Sequence, residues 1–595
     1  MTILGYAALN HDPSVAIFRE NQILCAVESE KITRHKHEVN PFPEQAIRSA
    51  LRMAGLGWAD IDAIAVNYDA GPSANWAYLP HLWRMCRAHS MDWGIILNAL
   101  VLSCSHHSRV FRRVPEWQQP HIINVRHHLS HLASAFPYSP FEEAAVAVID
   151  ACGELECTSV YHCSDRQIEK LWSMDLPADS LGLLYMMATR HLGYTAFGDE
   201  YKVMGLAPWG EPNRCFREFF TEIVRLLPEG RYRVDPRWAG RIFDNGWKFP
   251  PQVAARIGPS RAPEEPFKQA HKDFAFELQR RTEEAILHVV RHLHRVTNCR
   301  HLCLAGGVAL NSVANGKVLQ DSGFEQVFIP PAPHDAGTSL GAATFHSYYT
   351  LGHERPSPLR HCFFGSSYDD QSIERELSRC SQVFRRVDDP PRTAAELLAA
   401  GRVIGWFQGA TEFGARALGH RSILADPRDG RTKEHLNKLI KEREGYRPFA
   451  LAVLVEHASR YCSRVIDSPF MAFVDRVPER SRGEIPAVVH VDGTARVQIV
   501  EERVNPRFHQ LIRHFYSLTG VPAVLNTSFN VAGEPIVNSP LDALRCFHGS
   551  GLGALIMGSL LVEKLASREG ASGSTEAEPA KKGTVWGADS NACNV

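Results

Sequence analysis

The chain has 595 residues, of which 44% are hydrophobic and 22% charged, and its formal net charge is −1. This length exceeds what one hydrophobic core serves, so we expect two or more domains. The near-zero net charge excludes a global basic field for nucleic acid or an anionic membrane, although Lys and Arg can still cluster locally.

The start of the chain lacks the basic region and the unbroken apolar run of a signal peptide. No run of about 20 apolar residues is present to form a transmembrane helix. The 14 cysteines include no C-x-x-C pair, which disfavours a zinc ribbon or a thioredoxin motif. We therefore predict a cytoplasmic protein that has mostly reduced thiols and no membrane contact.

Strand and helix patterns alternate along the first half. Residues 3–9 and 14–28 predict strands, and residues 43–57 have the apolar spacing of a helix that ends at glycines. Further strand patterns are "DIDAIAVNYD", "HIINV", "AAVAVID" and "HLCLA". The alternation predicts an α/β architecture.

Composition divides the rest of the chain. Residues 353–375 are polar and contain prolines and glycines, which predicts a linker between a first domain, 1–352, and a second domain, 376–565. Residues 566–595 are small, polar and poor in apolar side chains. We predict that they form a disordered tail.

The segment "NVRHHLSHLASAF" holds three histidines. In a helix, His127 and His131 would lie at i and i+4 on one face, the spacing at which one helix offers two imidazoles to a metal. His128 would point about 100° away and would either support the ligands or be exposed. Taken alone, the spacing leaves a structural or surface role open.

Two acids strengthen the metal hypothesis. Asp150 closes the apolar run "AAVAVID", and a carboxylate at the end of a buried strand needs a partner. Asp335 follows a proline-rich entry in "PPAPHDAGTSLGAA". Each could instead be a helix cap or a turn residue. Together, two His and two Asp suit iron, manganese or zinc, and spacing does not choose among them.

Turns rich in small residues follow three of the strands, in "LNHDPS", "DACGE" and "LAGGVALN". Each could present backbone N–H groups to phosphates. None is a Walker A loop or a GxGxxG fingerprint. Their order along the chain matches the layout of the actin/hexokinase ATPase superfold.

The second half contains a basic stretch, "FGARALGHRSILADPRDGRTKEHLNKLIKEREGYRPFA". We interpret Arg431, Lys433 and Lys438 as a solvated face. Arg416, Arg421 and Arg447 stand beside apolar residues and turns, so they are expected to point inward and to need an anionic partner. Farther on, "LNTSFN" is either a plain loop or a set of amides and hydroxyls at a strand end; it includes Asn526, Thr527, Ser528 and Asn530.

The motifs "HDPSVAIF", "RHHLSH", "VIDACGE", "EYKVMGLAPWG", "GGVALN" and "HDAGTSLGAA" together resemble the nodulation and antibiotic O-carbamoyltransferases. The resemblance covers nearly the whole chain and implies a first domain similar to the threonylcarbamoyl-transferring tRNA modification enzyme. It implies three sets of residues there: His127, His131, Asp150 and Asp335 on a metal, typically iron; His11 and Lys36 at the transfer site; and Gly153, Gly306, Gly307 and Asn311 at the bound nucleotide.

The same resemblance implies that the second domain is YrdC-like, an α+β fold that forms adenylates. Its implied ligands for carbamoyl phosphate and ATP are Arg416, Arg421, Lys441, Arg447, Asn526, Thr527 and Ser528. The sequence departs from the family pattern at Lys31, Ile32, Trp209, Ala415 and His420. The first three departures bear on the acceptor pocket, and the last two change loop shape.

The resulting expectation is an ATP-dependent O-carbamoyltransferase. It would form carbamoyl adenylate from carbamoyl phosphate and ATP, with Fe²⁺ in the first domain and Mg²⁺ accompanying ATP, and transfer the carbamoyl group to a hydroxyl of a secondary metabolite. A neutral His11 would be the general base. The aromatic stretch at residues 75–93 is either part of the acceptor pocket or a buried helical insertion.

Three alternatives stay open. They are a threonylcarbamoyl-type tRNA modification enzyme, a metal-dependent hydrolase and a nucleotide-binding regulator without catalysis. The net charge of −1 disfavours the first, because tRNA binding requires many cationic contacts. The acceptor and the oligomeric state are not determined by these patterns, and no nucleic-acid partner is expected.

Overall fold

A computed structural model describes residues 1–7, 11–38, 43–68, 120–175, 179–195, 198–235, 248–464 and 467–564. The predicted tail, 566–595, and the aromatic segment, 75–93, lie outside these residues. None of the described helices is both long and apolar enough to cross a membrane.

The first sheet has five strands: β1 (Thr2–Ala7), β2 (Ser14–Arg19), β3 (Gln22–Glu28), β4 (Ala63–Val66) and β5 (His121–Asn124). Their order is β3-β2-β1-β4-β5. The first three pair antiparallel, and β4 and β5 extend the sheet in parallel from β1. These strands occupy the segments in which the sequence predicts strands. β1, β2 and β4 are buried on both faces and are therefore nearly continuous apolar runs, whereas β5 is mostly exposed.

The second sheet repeats this plan. Its strands are β6 (Glu143–Ile149), β7 (Glu156–Ser164), β8 (Gln167–Asp175), β11 (His301–Ala305) and β12 (Gln326–Phe328), in the order β12-β11-β6-β7-β8. Again three strands pair antiparallel and two continue in parallel. A separate two-stranded ribbon consists of β9 (Val224–Leu226) and β10 (Tyr232–Val234).

Within the described residues of this half, ten α-helices accompany these sheets. They are α1 (Ser29–Thr33), α2 (Glu44–Ala54), α3 (His127–Ala135), α4 (Leu181–His191), α5 (Glu200–Leu206), α6 (Arg214–Ile223), α7 (Pro251–Ile257), α8 (Gln269–Thr297), α9 (Ser312–Asp321) and α10 (Ala336–Thr344). The predicted helix at 43–57 is α2, which ends at Gly55 in the left-handed conformation.

Helix α10 packs between α3 and the first sheet. Small residues permit this close contact: a Cβ atom on Gly341 would lie 1.8 Å from the Ser130 carbonyl oxygen, and one on Gly5 would lie 1.9 Å from that of Ser339. The run "AGTSLGAA" therefore serves packing, and it brings the start of α10 beside α3.

The second half is built on one nine-stranded sheet. Its strands are β13 (Arg385–Arg386), β14 (Ile404–Phe407), β15 (Arg421–Ala425), β16 (Ala450–Leu454), β17 (Phe473–Arg476), β18 (Thr494–Val500), β19 (Ala523–Ser528), β20 (Ala554–Met557) and β21 (Leu560–Glu563). Their order is β13-β21-β20-β14-β15-β19-β16-β18-β17, with mixed pairing.

Seven helices complete this half: α11 (Asp370–Arg379), α12 (Pro390–Ala399), α13 (Arg431–His435), α14 (Ala458–Tyr461), α15 (Glu479–Arg482), α16 (Pro506–Thr519) and α17 (Pro540–His548). Strands and helices thus occur in both halves, and the mixed α/β class that the sequence predicts is confirmed.

The segment predicted as a linker, 353–375, packs closely against both halves. Arg355 donates to the carbonyl oxygens of Phe136 and Pro137 at 2.7 and 3.0 Å. On the other side, the N–H of Phe413 donates to the carbonyl oxygen of the fully buried Cys362 at 2.6 Å, and α11 begins within the segment. The two halves are therefore in extensive contact in this part of the chain.

Candidate active site

Helix α3 presents His127 and His131 on one face, one turn apart. Asp150 follows the last residue of β6, and Asp335 immediately precedes α10. The α3–α10 contact and the strand end bring the four side chains together. One donor atom from each lies within 4.8 Å of the others. We refer to these four residues as the His/Asp centre.

The Nε2 atoms of His127 and His131 are 3.1 Å apart. Asp150 Oδ2 lies 3.2 Å from His127 Nε2 and 3.7 Å from His131 Nε2. Asp335 Oδ1 lies 3.4 and 3.6 Å from the same two atoms. All four side chains are buried. Two imidazole nitrogens facing each other between two carboxylates form a site that favours a positive charge at its middle.

The electrostatics agree with the geometry. Burial alone lowers the pKa of His127, but Asp335 and Asp150 outweigh it and raise the pKa well above its usual value. The same carboxylates raise the pKa of His131. Burial alone raises the pKa of Asp150, but hydrogen bonds to His127 and His131 lower it well below its usual value. The carboxylates thus stabilise a cation at the centre.

His128 points away from the centre. Its Nδ1 lies 2.6 Å from Ser159 Oγ on β7. Burial, followed by the charge of His127, lowers the pKa of His128 well below its usual value. The residue is buried, so the exposed alternative for His128 is wrong. Gly153 leaves room for this ring, since a Cβ there would lie 2.9 Å from His128 Cδ2.

The Gly-Gly turn after β11 contacts the His/Asp centre directly. The backbone N–H of Gly307 donates to Asp150 Oδ1 at 2.9 Å. Gly306 has φ +90°, and a Cβ there would lie 2.3 Å from the Ile149 carbonyl oxygen, so only glycine fits. The Asn311 side chain accepts from Ala314 N–H and exchanges hydrogen bonds with Gln279. This amide is therefore committed to capping α9 and to α8.

A second group of side chains surrounds Asp12. Its two carboxylate oxygens accept from His11 Nδ1 at 2.9 Å and His37 Nδ1 at 3.0 Å. Asp12 and His37 both have positive φ, 55° and 51°, conformations that are strained for these residues. Glu30 holds the His37 backbone N–H. The carboxylate of Asp12 thus orients both imidazoles, with His11 Nδ1 occupied and its other nitrogen directed elsewhere.

Charge also links His11 to the His/Asp centre. Burial lowers the pKa of His11, but Asp12, Asp335 and Asp150 together raise it to about 9. A neutral His11 at working pH therefore requires that the charge of these carboxylates be offset, for example by a cation bound between Asp150 and Asp335.

Five cations from the second half converge at the junction of the halves: Arg416, Lys441, Arg443, Arg447 and Arg496. We call them the cation cluster. Burial and then mutual repulsion lower the pKa of Arg496 and of Lys441 well below their usual values. Among the described residues, only Arg447 of the five has a carboxylate partner, Glu444 at 3.6 Å. So much partly buried positive charge requires an anion.

Lys441 has uncharged hydrogen-bond partners. Its Nζ donates to Asn530 Oδ1 at 2.8 Å and to the Asn530 and Ser528 carbonyl oxygens. Arg416 reaches across the junction, with its guanidinium 3.4 Å from the Leu310 carbonyl oxygen that precedes Asn311. The cluster therefore lies against the Gly-Gly region of the first half.

Tyr201 and Lys36 connect the two regions. The Arg447 guanidinium lies 4.7 Å and the Lys36 ammonium 5.6 Å from the centre of the Tyr201 ring. Burial raises the pKa of Tyr201, but Arg447, Lys36 and Lys202 outweigh it and lower the pKa. Lys36 also repels Lys441 electrostatically. The structure thus places Lys36 beside the cation cluster, while the adjacent His37 contacts Asp12.

Arg421, by contrast, is used by the fold. It is fully buried, donates to the carbonyl oxygens of Gln408, Gly409 and Ser366, and stacks 3.6 Å from the Phe407 ring. Asn526 is equally buried and donates to Gln498 Oε1 and the Ala417 carbonyl oxygen. Thr527 is buried on β19. Of the residues predicted for the second half, Arg416, Lys441, Arg447 and Ser528 come together.

The sequence analysis missed five residues of these groups: Asp12, His37, Tyr201, Arg443 and Arg496. Arg496 stands at a polar position of the regular alternation in "TARVQIV", where the pattern predicts an exposed side chain, so the sequence alone carried no signal for it. Tyr201 lies in the quoted motif "EYKVMGLAPWG", but its position against Arg447 depends on the contact between the halves.

Protein-family models match most of the chain. The model described as "Carbamoyltransferase N-terminus" matches residues 2–344, and the one described as "Carbamoyltransferase C-terminus" matches residues 395–564.

Curated relatives agree with these matches. The chain is 40% identical over 569 residues to nodulation protein NolNO of Sinorhizobium fredii (strain NBRC 101917 / NGR234), covering 93% of this chain and 79% of that protein. It is 26% identical to a 3'-hydroxymethylcephem-O-carbamoyltransferase of Amycolatopsis lactamdurans, covering 92% and 96%.

Among solved structures, full-length HypF in a phosphate- and nucleotide-bound form is similar at 14% identity and a TM-score of 0.32, covering 59% of this chain and 56% of that chain. Similarity at this level is too low to assign fold or function.

Proposed function

This chain belongs to the carbamoyltransferase family and is an enzyme of that class, and on that premise we propose that it is an ATP-dependent O-carbamoyltransferase acting in two steps. The observation that carries the proposal is the cation cluster. It is a partly buried set of cations with few anionic partners among the described residues, and Lys36 and Tyr201 connect it to the region of His11 and the His/Asp centre.

In the first step, carbamoyl phosphate, ATP and water give carbamoyl adenylate, phosphate and pyrophosphate. The substrates carry many phosphate charges, which the cation cluster would neutralise while reacting atoms are held in place. Arg447 and Lys441 form the core of this site, with Ser528 and Asn530 fixing the lysine. Mg²⁺ would accompany ATP.

In the second step, the carbamoyl group passes to a hydroxyl of the acceptor and AMP leaves. His11 is the proposed general base, and Asp12 positions it by holding Nδ1. Gly153, Gly306, Gly307 and Asn311 are proposed to lie against the nucleotide. The glycines would allow its close approach without donating to it, because their backbone N–H groups and the Asn311 amide already have partners within the protein. Lys36 lies next to the cation cluster and is proposed to contact the phosphate of carbamoyl adenylate when this intermediate passes from the first step to the second.

The His/Asp centre fits a divalent metal. Its two imidazole Nε2 atoms converge with two carboxylate oxygens, and all four side chains are buried, which gives a mixed set of nitrogen and oxygen donors. His127, His131, Asp150 and Asp335 would hold the ion, and we propose Fe²⁺. When bound, it would act as a Lewis acid on the leaving phosphate and would offset the carboxylate charge felt by His11.

Two fold assignments belong to the same proposal. We assign the first domain, 1–352, to the actin/hexokinase-like ATPase superfold. The matching strand orders β3-β2-β1-β4-β5 and β8-β7-β6-β11-β12 support this, because they indicate a repeated unit. We assign the second domain, 376–565, to the YrdC-like adenylate-forming fold. The family-model boundaries at residues 344 and 395 support this division.

The acceptor is proposed to be a small hydroxylated molecule, of the kind made in secondary metabolism. The relative from Amycolatopsis lactamdurans, by its name, carbamoylates a hydroxymethyl group on a cephem, and other relatives are nodulation proteins. A screen of hydroxylated natural products with carbamoyl phosphate and ATP, with detection of the added carbamoyl mass, would identify it.

The first experiment measures release of pyrophosphate from ATP with and without carbamoyl phosphate. The wild type should release it only when carbamoyl phosphate is present, and Arg447→Ala should lose at least about 100-fold in rate, as removal of a group that stabilises developing charge does. Arg431→Ala is the matched control, because Arg431 is 90% exposed and pairs with Asp429. Normal pyrophosphate release by Arg447→Ala would refute the assignment of this site.

A second experiment separates the steps. His11→Ala should keep pyrophosphate release but lose transfer to the acceptor, and Asp12→Asn should lower transfer while sparing pyrophosphate release. If His11→Ala failed to make carbamoyl adenylate, the division of labour between the two regions would be wrong.

A further inference from the structure

Three side chains of metal-binding types meet at the end of the second sheet that lies away from the His/Asp centre. Glu143 is the first residue of β6, His162 lies on β7, and Cys299 stands two residues before β11. One donor atom from each lies within 4.8 Å of the others. We call these three residues the Glu/His/Cys site. A carboxylate oxygen, an imidazole nitrogen and a thiolate sulfur are the donor types that zinc uses in proteins.

Strand pairing sets the positions of two of the donors. Ala145 on β6 pairs with His162 on β7, and residues two apart on a strand share a face. Glu143 and His162 therefore lie on the same face of the sheet, and Glu143 Oε1 is 2.7 Å from His162 Nε2. These two side chains are 57% and 29% exposed, so an ion can enter the site from solvent.

A turn brings the thiol to this pair. Helix α8 ends at Thr297, and Asn298 takes the left-handed conformation, with φ +52°. The N–H of Cys299 then donates to Thr297 Oγ1 at 3.3 Å, and Cys299 is buried. The sulfur is therefore held near the carboxylate by a fixed backbone.

The charge around the thiol favours a cation. Burial raises the pKa of Cys299, a hydrogen bond with Thr297 opposes the rise, and the charge of Glu143 adds to it, so that the net pKa is raised. Without a cation, the thiol keeps its proton. When a divalent ion binds between the sulfur and the carboxylate, a metal–sulfur bond replaces the S–H bond and the proton passes to solvent.

Glu169 on β8 supports the imidazole from its other side. Its Oε2 lies 3.7 Å from His162 Nδ1. A carboxylate near the second nitrogen commonly orients a histidine that binds a metal through the first. As an exposed ion pair alone, Glu143 and His162 would contribute little to stability and would not require a cysteine beside them. The convergence of all three donors indicates a ligand set.

The site is separate from the His/Asp centre. Strand β6 runs from Glu143 to Ile149, and Asp150 follows its last residue. At the rise of an extended strand, the two sites are about 23 Å apart. An ion bound at one site therefore uses none of the ligands of the other.

We propose that the Glu/His/Cys site binds one Zn²⁺ through Glu143, His162 and Cys299, with water as the remaining ligand. Mg²⁺ and Ca²⁺ are disfavoured because they take oxygen ligands, whereas sulfur selects softer ions. The ion would join β6, β7 and the turn before β11. It would stabilise the second sheet, since an ion that binds the folded chain alone shifts the folding equilibrium toward it. The inference does not depend on the proposed function.

The test uses the full-length protein, freed of metal by a chelator and titrated with Co²⁺. A thiolate ligand gives Co²⁺ a near-ultraviolet absorption band that imidazole and carboxylate ligands do not give. The wild type should show this band, and Zn²⁺ should displace it. Cys299→Ser should abolish the band, and His162→Gln and Glu143→Gln should each weaken Co²⁺ binding at this site at least about tenfold, as loss of a metal ligand does. Cys215→Ser, at an exposed cysteine, is the matched control and should keep the band, as should His127→Ala.

A wild type without the band, or a band that persists in Cys299→Ser, would overturn the inference and leave Glu143 and His162 as an ion pair. Glu143 is exposed, so Glu143→Gln should fold as the wild type does, which far-ultraviolet circular dichroism checks. An unchanged affinity for Co²⁺ in folded Glu143→Gln would also overturn the inference.

Discussion

His127 and His131 show how much one buried residue pair depends on its neighbours. Their spacing is a property of any helix, whereas their role follows from two carboxylates that approach from β6 and from the start of α10. The four donor atoms lie within 4.8 Å of one another, and removing either imidazole leaves one nitrogen and two carboxylate oxygens, which weakens the binding of the metal.

We therefore predict that His127→Ala and His131→Ala each lose bound metal, with at least tenfold lower content after purification, measured by inductively coupled plasma mass spectrometry. His128→Ala is the matched control. It changes the adjacent buried imidazole, which contacts Ser159, and should keep its metal. Loss of metal from all three variants to the same extent would show that the helix, and not the ligand set, had been disturbed.

His191 gives a prediction about pH. Burial, followed by the charge of His271, lowers the pKa of His191 to about 4. Between pH 6.5, the usual pKa of histidine, and pH 4, the His191 imidazole binds a proton in the unfolded chain but not in the folded chain. The free energy of unfolding should therefore fall as pH drops through this range, by about 3 kcal/mol from this group.

Urea unfolding at pH 7.5 and at pH 4.5 measures the effect. His191→Gln should show a smaller loss between the two pH values than the wild type. His435→Gln, at an exposed position, should lose as much as the wild type. Equal losses in the wild type and His191→Gln would contradict the prediction.

At the scale of elements, the contact between α3 and α10 builds the centre. The alternating apolar and polar patterns predict most of the strands and α2, because periodicity reports which face is buried. The contact itself has a weaker signal in the sequence. Gly5 and Gly341 permit close backbone contacts that a Cβ atom would block. The sequence does not show which elements make these contacts, because that depends on how the helices pack on the assembled sheet.

Gly341→Ala should destabilise the protein by about 3 kcal/mol, since the added Cβ would overlap the Ser130 carbonyl oxygen. It should also lower metal content, because α3 and Asp335 would move apart. Thermal unfolding and metal analysis measure both effects. Gly483→Ala is the control, as a Cβ there would meet nothing within 4 Å. A Gly341→Ala protein with normal stability and metal would contradict the packing argument.

At the scale of the whole molecule, a buried ion pair ties the halves. Lys31 contacts Glu28, and its Nζ donates to the Glu412 and Gly414 carbonyl oxygens, each at 2.8 Å. The Gly414 N–H donates in return to Glu28 Oε2 at 3.0 Å. Both side chains of the pair are about 3% exposed. The second half thus completes the hydrogen bonds of two charges in the first.

Lys31→Met should destabilise the protein by about 3–5 kcal/mol, because it leaves the Glu28 carboxylate buried without its cation. The double variant Glu28→Gln/Lys31→Met should recover most of the loss. Urea unfolding measures both. Arg48→Met, which breaks an exposed pair with Glu44, should cost less than about 1 kcal/mol. A double variant no more stable than Lys31→Met would contradict this account.

The sequence by itself determined the mixed α/β class, the family resemblance and the residues of the His/Asp centre as candidates. These depend on local periodicity and on motifs that are contiguous in the chain. Only the tertiary structure decided that Arg421 and the Asn311 side chain are used by the fold. It also decided that Arg496, Arg443 and Tyr201 belong with Arg447. The reason is physical: whether a buried charge is satisfied depends on groups that are distant along the chain, such as the Ser366 carbonyl oxygen for Arg421 and the Arg447 guanidinium for Tyr201. Their approach is fixed only by the tertiary packing.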